Sequence, residues 1–153
     1  GSILFSCGIP FIHSGQEFAR TKNGAHNSYR SSDLVNQIDW QRKDRYCDIV
    51  AYTQDMIKLR KSLAPLRFSE TELIRKHVSF TDLQNSILLM EFKDVKAYGE
   101  YDHIQIFFNP TGQVMYHRLS DYYELLANEA GLIGRLPVQS LTINPHTIVV
   151  VAK

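Results

Sequence analysis

After Leu66 the spacing of apolar residues shortens to two, and this change constrains the fold more than any other feature of the chain. His77-Val78-Ser79-Phe80-Thr81 and Ser86-Ile87-Leu88-Leu89-Met90-Glu91-Phe92 read as strands, with Asn85 in the turn between them. A period of two sends alternate side chains to opposite faces of a pleated ribbon, so such segments need a sheet in which to bury one face. His103-Ile104-Gln105-Ile106-Phe107-Phe108 alternates in the same way and ends at Asn109-Pro110-Thr111-Gly112, a strong turn signal. Gln113-Val114-Met115-Tyr116-His117-Arg118-Leu119 then continues a hairpin, whereas Tyr122-Tyr123-Glu124-Leu125-Leu126 is shorter and ambiguous. Leu141-Thr142-Ile143 leads through Asn144-Pro145-His146 to Thr147-Ile148-Val149-Val150-Val151. Short strands with turns between them, and few helical patterns after residue 70, predict an antiparallel all-β sandwich over residues 66–153.

Ahead of that boundary the period is helical. From Asp48 to about Leu63, the residues Ile49, Tyr52, Met56, Leu59 and Leu63 fall at spacings of three and four and make one apolar stripe. Gln54, Asp55, Lys58, Arg60 and Lys61 populate the other faces. Asp48 is the expected N-cap, the basic residues suit the C-terminal end of the dipole, and Pro65 closes the helix. The stripe reads as core packing and not as a cofactor site. Its burial contributes on the order of 10 kcal/mol, comparable to the whole stability of a small domain. The helix therefore needs a partner surface.

The first residues carry a third pattern. Ser2-Ile3-Leu4-Phe5-Ser6-Cys7 reads as the last turn of a helix ended by Gly8. Gly8-Ile9-Pro10-Phe11-Ile12-His13-Ser14-Gly15-Gln16-Glu17-Phe18 then has the form of a buried strand that delivers a polar loop at its C-terminal end. Ala19-Arg20-Thr21-Lys22 follows, then Asn23-Gly24-Ala25-His26-Asn27-Ser28-Tyr29, and Asp33-Leu34-Val35-Asn36-Gln37 leads to Ile38-Asp39-Trp40.

Taken in order, these elements resemble the end of the catalytic barrel in type I pullulanases, debranching enzymes of the α-amylase superfamily. The resemblance implies that residues 1–65 are the C-terminal end of a (β/α)8 barrel, holding its eighth strand, the loop after it and the eighth helix. A barrel of this kind takes roughly 250 residues and closes only with eight strands, so most of it would lie before residue 1. The superfamily's β-sandwich behind the barrel agrees with the reading of residues 66–153. The implied activity is hydrolysis of α-1,6-glucosidic linkages in pullulan, glycogen or branched dextrins.

Retaining glycosidases need a nucleophilic carboxylate and an acid/base carboxyl on opposite sides of the sugar bond. In the superfamily these come from earlier barrel strands, so no catalytic residue is expected here and the chain alone is expected to be inactive. Glu17 matches the family's Gly-x-Glu element, outside the catalytic triad, and is expected to bond loop backbone or Arg20. Asn27, Ser28 and Tyr29 supply amide, hydroxyl and aromatic groups suited to sugar hydroxyls and faces, and by the family match they border the glucose-binding groove. The same residue types also make ordinary turns. Asp33, Asn36, Asp39 and Trp40 are expected to hold the loop onto the barrel rim. His13 reads as a satisfied buried histidine, and neither it nor His26 has a partner at metal spacing. Many superfamily members carry calcium, which leaves room for that ion in the full-length enzyme, but the run from Asp33 to Asp39 lacks a calcium-loop pattern. No cofactor is expected.

A formal net charge of +1 gives neither a basic patch for nucleic acid nor an acidic tail. Cys7 and Cys47 are too few for a disulfide framework and read as free thiols. No apolar run approaches the ~20 residues that span a bilayer. The chain stops after its last strand without an anchoring tail, which leans toward a cytoplasmic location. The expected partner is a branched α-glucan, and residues 1–65 on their own should expose apolar surface and self-associate. Two other readings are another superfamily enzyme, such as a branching enzyme, and a carbohydrate-binding or interaction sandwich. The long loop opposes the first, and the second would use exposed aromatics such as Tyr122-Tyr123.

Overall fold

A computed structural model describes residues 1–83 and 86–153. Five helices come first: α1 (Ser2–Phe5), α2 (Asp33–Asn36), α3 (Gln41–Arg45), α4 (Cys47–Ser62) and α5 (Thr71–His77). The strands β1 (Val78–Leu83), β2 (Ile87–Phe92), β3 (Ile104–Asn109), β4 (Met115–Asn128), β5 (Gly131–Ile143) and β6 (Thr147–Ala152) follow. They form one antiparallel sheet in the order β1-β2-β3-β6-β4-β5. The expected turn at Asn85 lies outside the described residues.

The central strands are apolar on both faces because both faces are covered. One face carries Met90, Phe92, Ile104, Ile106, Val150 and Ala152, packed with Leu4 and Phe5 of α1 and Met56 and Leu59 of α4. The other carries Leu89, Phe107, Val149 and Val151. The pairing of β4 with β5 shifts register between Arg118 and Tyr123, and Leu119, Leu141 and Ile143 of this ribbon pack on that second face. A single sheet bent at an irregular point thus forms both layers of the sandwich.

Three expectations need correction. The segment 113–119 does not form a hairpin with 103–108, because β6 takes the place beside β3. Buried Asn109 ties this crossing together. Its Nδ2 donates to the carbonyls of Gln113 at 2.8 Å, Asn144 at 2.9 Å and Ile143 at 3.3 Å, and its Oδ1 accepts from the Thr111 N–H at 2.9 Å. Residues 131–140, to which the sequence pattern assigns no element, are strand. Gly131, Gly134 and Pro137 disguise them, and an edge strand tolerates a proline that cannot donate to a ladder.

The second correction concerns residues 8–14, which are not a strand. Ile9 is 98% exposed and Phe11 80% exposed, and among the described residues nothing pairs with their backbone. A strand needs neighbours, and the sheet of this chain packs against α1 and α4 instead. The third concerns α4. It starts at Cys47, Tyr46 precedes it without a side-chain cap bond, and Asp48 sits in its first turn instead of capping it. Arg60 is buried, not solvated, with a relative exposure of 6%.

Candidate functional site

The loop between Gly15 and α4 is a self-contained scaffold. Gly15 has φ +89°, and a Cβ there would stand 2.9 Å from the Cβ of Arg20, so the turn requires glycine. The Gly15 N–H donates to Glu17 Oε2 at 3.0 Å, and the Gly15 carbonyl accepts from the Arg20 N–H at 2.8 Å. This turn buries Phe18 beneath Trp40, with ring centroids 5.7 Å apart. Arg20 donates to the Asn36 carbonyl and to the Ser14 carbonyl at 3.3 Å. The Arg42 side chain of α3 donates to the Ala19 carbonyl through Nε at 3.1 Å and Nη2 at 2.5 Å.

The candidate sugar-contacting residues separate by burial. Asn27 is exposed and Tyr29 is 77% exposed. Ser28 between them is 8% exposed, and its hydroxyl accepts from Lys22 Nζ at 2.5 Å. Ser28 therefore faces the inside of the loop. Asp39 Oδ1 accepts from the Gln41 N–H at 3.0 Å at the start of α3. Asp33 is exposed in the first turn of α2, and Trp40 keeps much of its ring open to solvent. His13 is exposed, contrary to expectation, as is His26. Sequence reasoning missed Lys22 and Arg42. Their bonds reach across the loop to residues 6 to 23 positions away, and no periodicity signals such contacts.

The sandwich holds a second polar group. Glu91 Oε1 lies 3.1 Å from His103 Nε2 and accepts from Gln105 Nε2 at 2.9 Å, while Tyr123 Oη lies 2.7 Å from His103 Nδ1. Tyr123 is therefore buried beside exposed Tyr122, and the two do not form an exposed aromatic pair. Burial lowers the pKa of His103 from its ordinary 6.5, against the opposing pull of Glu91. A histidine with a depressed folded pKa supports the fold while neutral and withdraws that support as pH falls through the folded value. The melting temperature of the chain should thus drop as pH falls from about 7 toward 5, and His103→Gln should flatten that drop. An unchanged slope in the variant would rule His103 out as its source.

A groove of about 840 Å³ shares no residue with the loop and includes Asp48, Asp55, Glu129 and His146. Among the described residues, no three His, Cys, Asp or Glu side chains converge as a metal would require.

No family model matches the chain. Pullulanase of Bacillus subtilis strain 168 is 35% identical over 131 residues, 84% of this chain and 18% of that protein. The crystal structure of type I pullulanase from the same strain, complexed with maltose, superposes with a TM-score of 0.89 at 32% identity over 98% of this chain. The chain matches the C-terminal part of a type I pullulanase. A second pullulanase, from Anoxybacillus sp. LM18-11 and complexed with maltotetraose, gives a TM-score of 0.87 at 34% identity over 99% of the chain. The pullulanase-like chain spans about a fifth of these relatives, 18% of the first and 22% of each solved structure.

Proposed function

We propose that this chain is the C-terminal part of a longer debranching glycosidase that hydrolyses α-1,6-glucosidic linkages in pullulan, glycogen or branched dextrins. In this reading residues 1–65 end the catalytic (β/α)8 barrel and residues 66–153 are the sandwich behind it. The observation that carries the reading is the loop. Asn27 and Tyr29 stand exposed on a hydrogen-bonded loop, in a chain that matches pullulanases solved with maltose and maltotetraose. Asn27 then offers hydrogen bonds to sugar hydroxyls and Tyr29 offers its ring to a sugar face. Ser28 acts through its bond to Lys22, and Glu17, Arg20, Asp33, Asp39 and Trp40 shape the loop.

The uncovered segment from Ile9 to Phe11 belongs, in the same reading, between neighbouring barrel strands. Left bare in the chain alone, it favours self-association. Hydrolysis needs two opposed carboxyls, which earlier strands of the longer protein would supply, so the chain alone is inactive.

Reducing-end release from pullulan tests the proposal. The longer protein should cleave pullulan and leave unbranched amylose largely intact, and residues 1–153 alone should release nothing. Cleavage of amylose in place of pullulan would remove the debranching assignment. Activity in the isolated chain would place a catalytic pair within it.

A further inference from the structure

Residues 28–31 form a turn closed by the Ser31 N–H, which donates to the Ser28 carbonyl at 3.0 Å. Tyr29 and Arg30 occupy its two central positions, and the Arg30 guanidinium carbon stands 6.0 Å from the centroid of the Tyr29 ring. The turn is wrapped around one side chain. Asn36 Nδ2 donates to the Ser28 carbonyl at 2.7 Å and to the Ser31 carbonyl at 2.9 Å, gripping both ends. Asn36 Oδ1 accepts from Lys22 Nζ at 3.2 Å, and that ammonium also holds the Ser28 hydroxyl. Both N–H groups and the oxygen of the Asn36 amide are thus engaged. Its own backbone carbonyl receives Arg20.

We propose that Asn36 and Lys22 are positioning residues for glucan binding, locking the 28–31 turn so that the Tyr29 ring is presented as a platform for a glucose face. The inference rests on the reading of Asn27 and Tyr29 as glucan contacts and adds what holds them in place. A side chain on an unlocked loop must be ordered when the sugar arrives, and that entropy is subtracted from affinity. Here the backbone on both sides of Tyr29 is held beforehand by Asn36. The Asn36 amide is engaged entirely by the loop itself, so releasing the lock weakens substrate binding more than bond cleavage.

Steady-state kinetics of the full-length protein on pullulan make the test. Tyr29→Ala should raise KM about tenfold, and Asn36→Ala about fivefold with kcat falling less than about threefold. Because both changes act on one contact, the double variant should be no worse than Tyr29→Ala alone. Lys22→Met gives the same readout through the other half of the lock should Asn36→Ala not fold. Lys22→Arg, which keeps a donor at that point, should recover most of the loss. Multiplying KM effects in the double variant would overturn the inference, as would a fall in kcat at unchanged KM. Wild-type KM in Tyr29→Ala would remove the loop-tip reading and this inference with it, in an enzyme that still debranches. A full-length protein that leaves pullulan uncut would instead remove the proposed function, and the inference with it.

Discussion

Replacing Arg60 by methionine should destabilise the chain by about 3 kcal/mol, because two buried carbonyls would lose their donor. The guanidinium donates to the carbonyls of Leu4, of Ser6 at 2.9 Å, of Gly8 at 2.6 Å and of Leu66 at 3.1 Å. It therefore fastens the C-terminal end of α1 and the turn after α4 to the same point of the helix. Leu4 and Leu66 are buried, so their carbonyls would have no water to turn to. Arg67 works alongside, donating to the carbonyls of Arg60 at 2.6 Å and Lys61 at 2.8 Å at the end of α4. For a chain of this size the loss corresponds to a melting shift of roughly 6–12 °C. Calorimetry measures it, and chymotrypsin should cut the variant first near Phe5 and Phe11. Arg60→Lys should restore only part of the loss, because an ammonium cannot reach four carbonyls as a planar fork does. A shift of about 1 °C or less would mean that the segment is held by its apolar contacts alone.

Phe11→Ala should have opposite consequences in the two forms of the protein. In residues 1–153 alone Phe11 is uncovered, so truncation should change stability by no more than about 0.5 kcal/mol and reduce self-association. In the full-length protein the same residue would lie among barrel strands, and its loss should cost about 3–5 kcal/mol through transfer and cavity terms. Denaturant midpoints of both forms, with light scattering on the short one, measure the contrast. Equal small effects in both would separate residues 8–14 from any barrel. A large effect in the isolated chain would mean that Phe11 finds a partner within these residues.

These two residues also mark how far the sequence was legible. Strands β1, β2, β3 and β6 announce themselves through alternation and turn residues, and α4 through its spacing. The first half of β5 does not, because an edge strand accepts the glycines and proline that otherwise signal a connection. The order of strands was hidden as well. An Asn-Pro-Thr-Gly run marks a change of direction, but what decides the partner of β3 is the later arrival of β6 and the bonds made by Asn109. Arg60 looked solvated because a polar residue within an amphipathic helix ordinarily faces water. Only the assembled carbonyls of two distant segments make its burial favourable. At the loop, Asn27 and Tyr29 read as candidates for sugar contact, and the structure finds both exposed. That Ser28 turns inward follows from bonds to Lys22 and Asn36 that lie 6 and 8 positions away.

The central place of β6 imposes an order on the making of this protein. Residues 147–152 lie between β3 and β4, so during synthesis the sheet remains in two halves until that segment has left the ribosome. Until then β3 and β4 each present an open edge and an uncovered apolar row, the condition that favours mispairing with other nascent chains. The helix α4 packs on residues from β6, including Val150 and Ala152. The seating of α4 therefore waits on the same event, and this sheet stays open until β6 is in place.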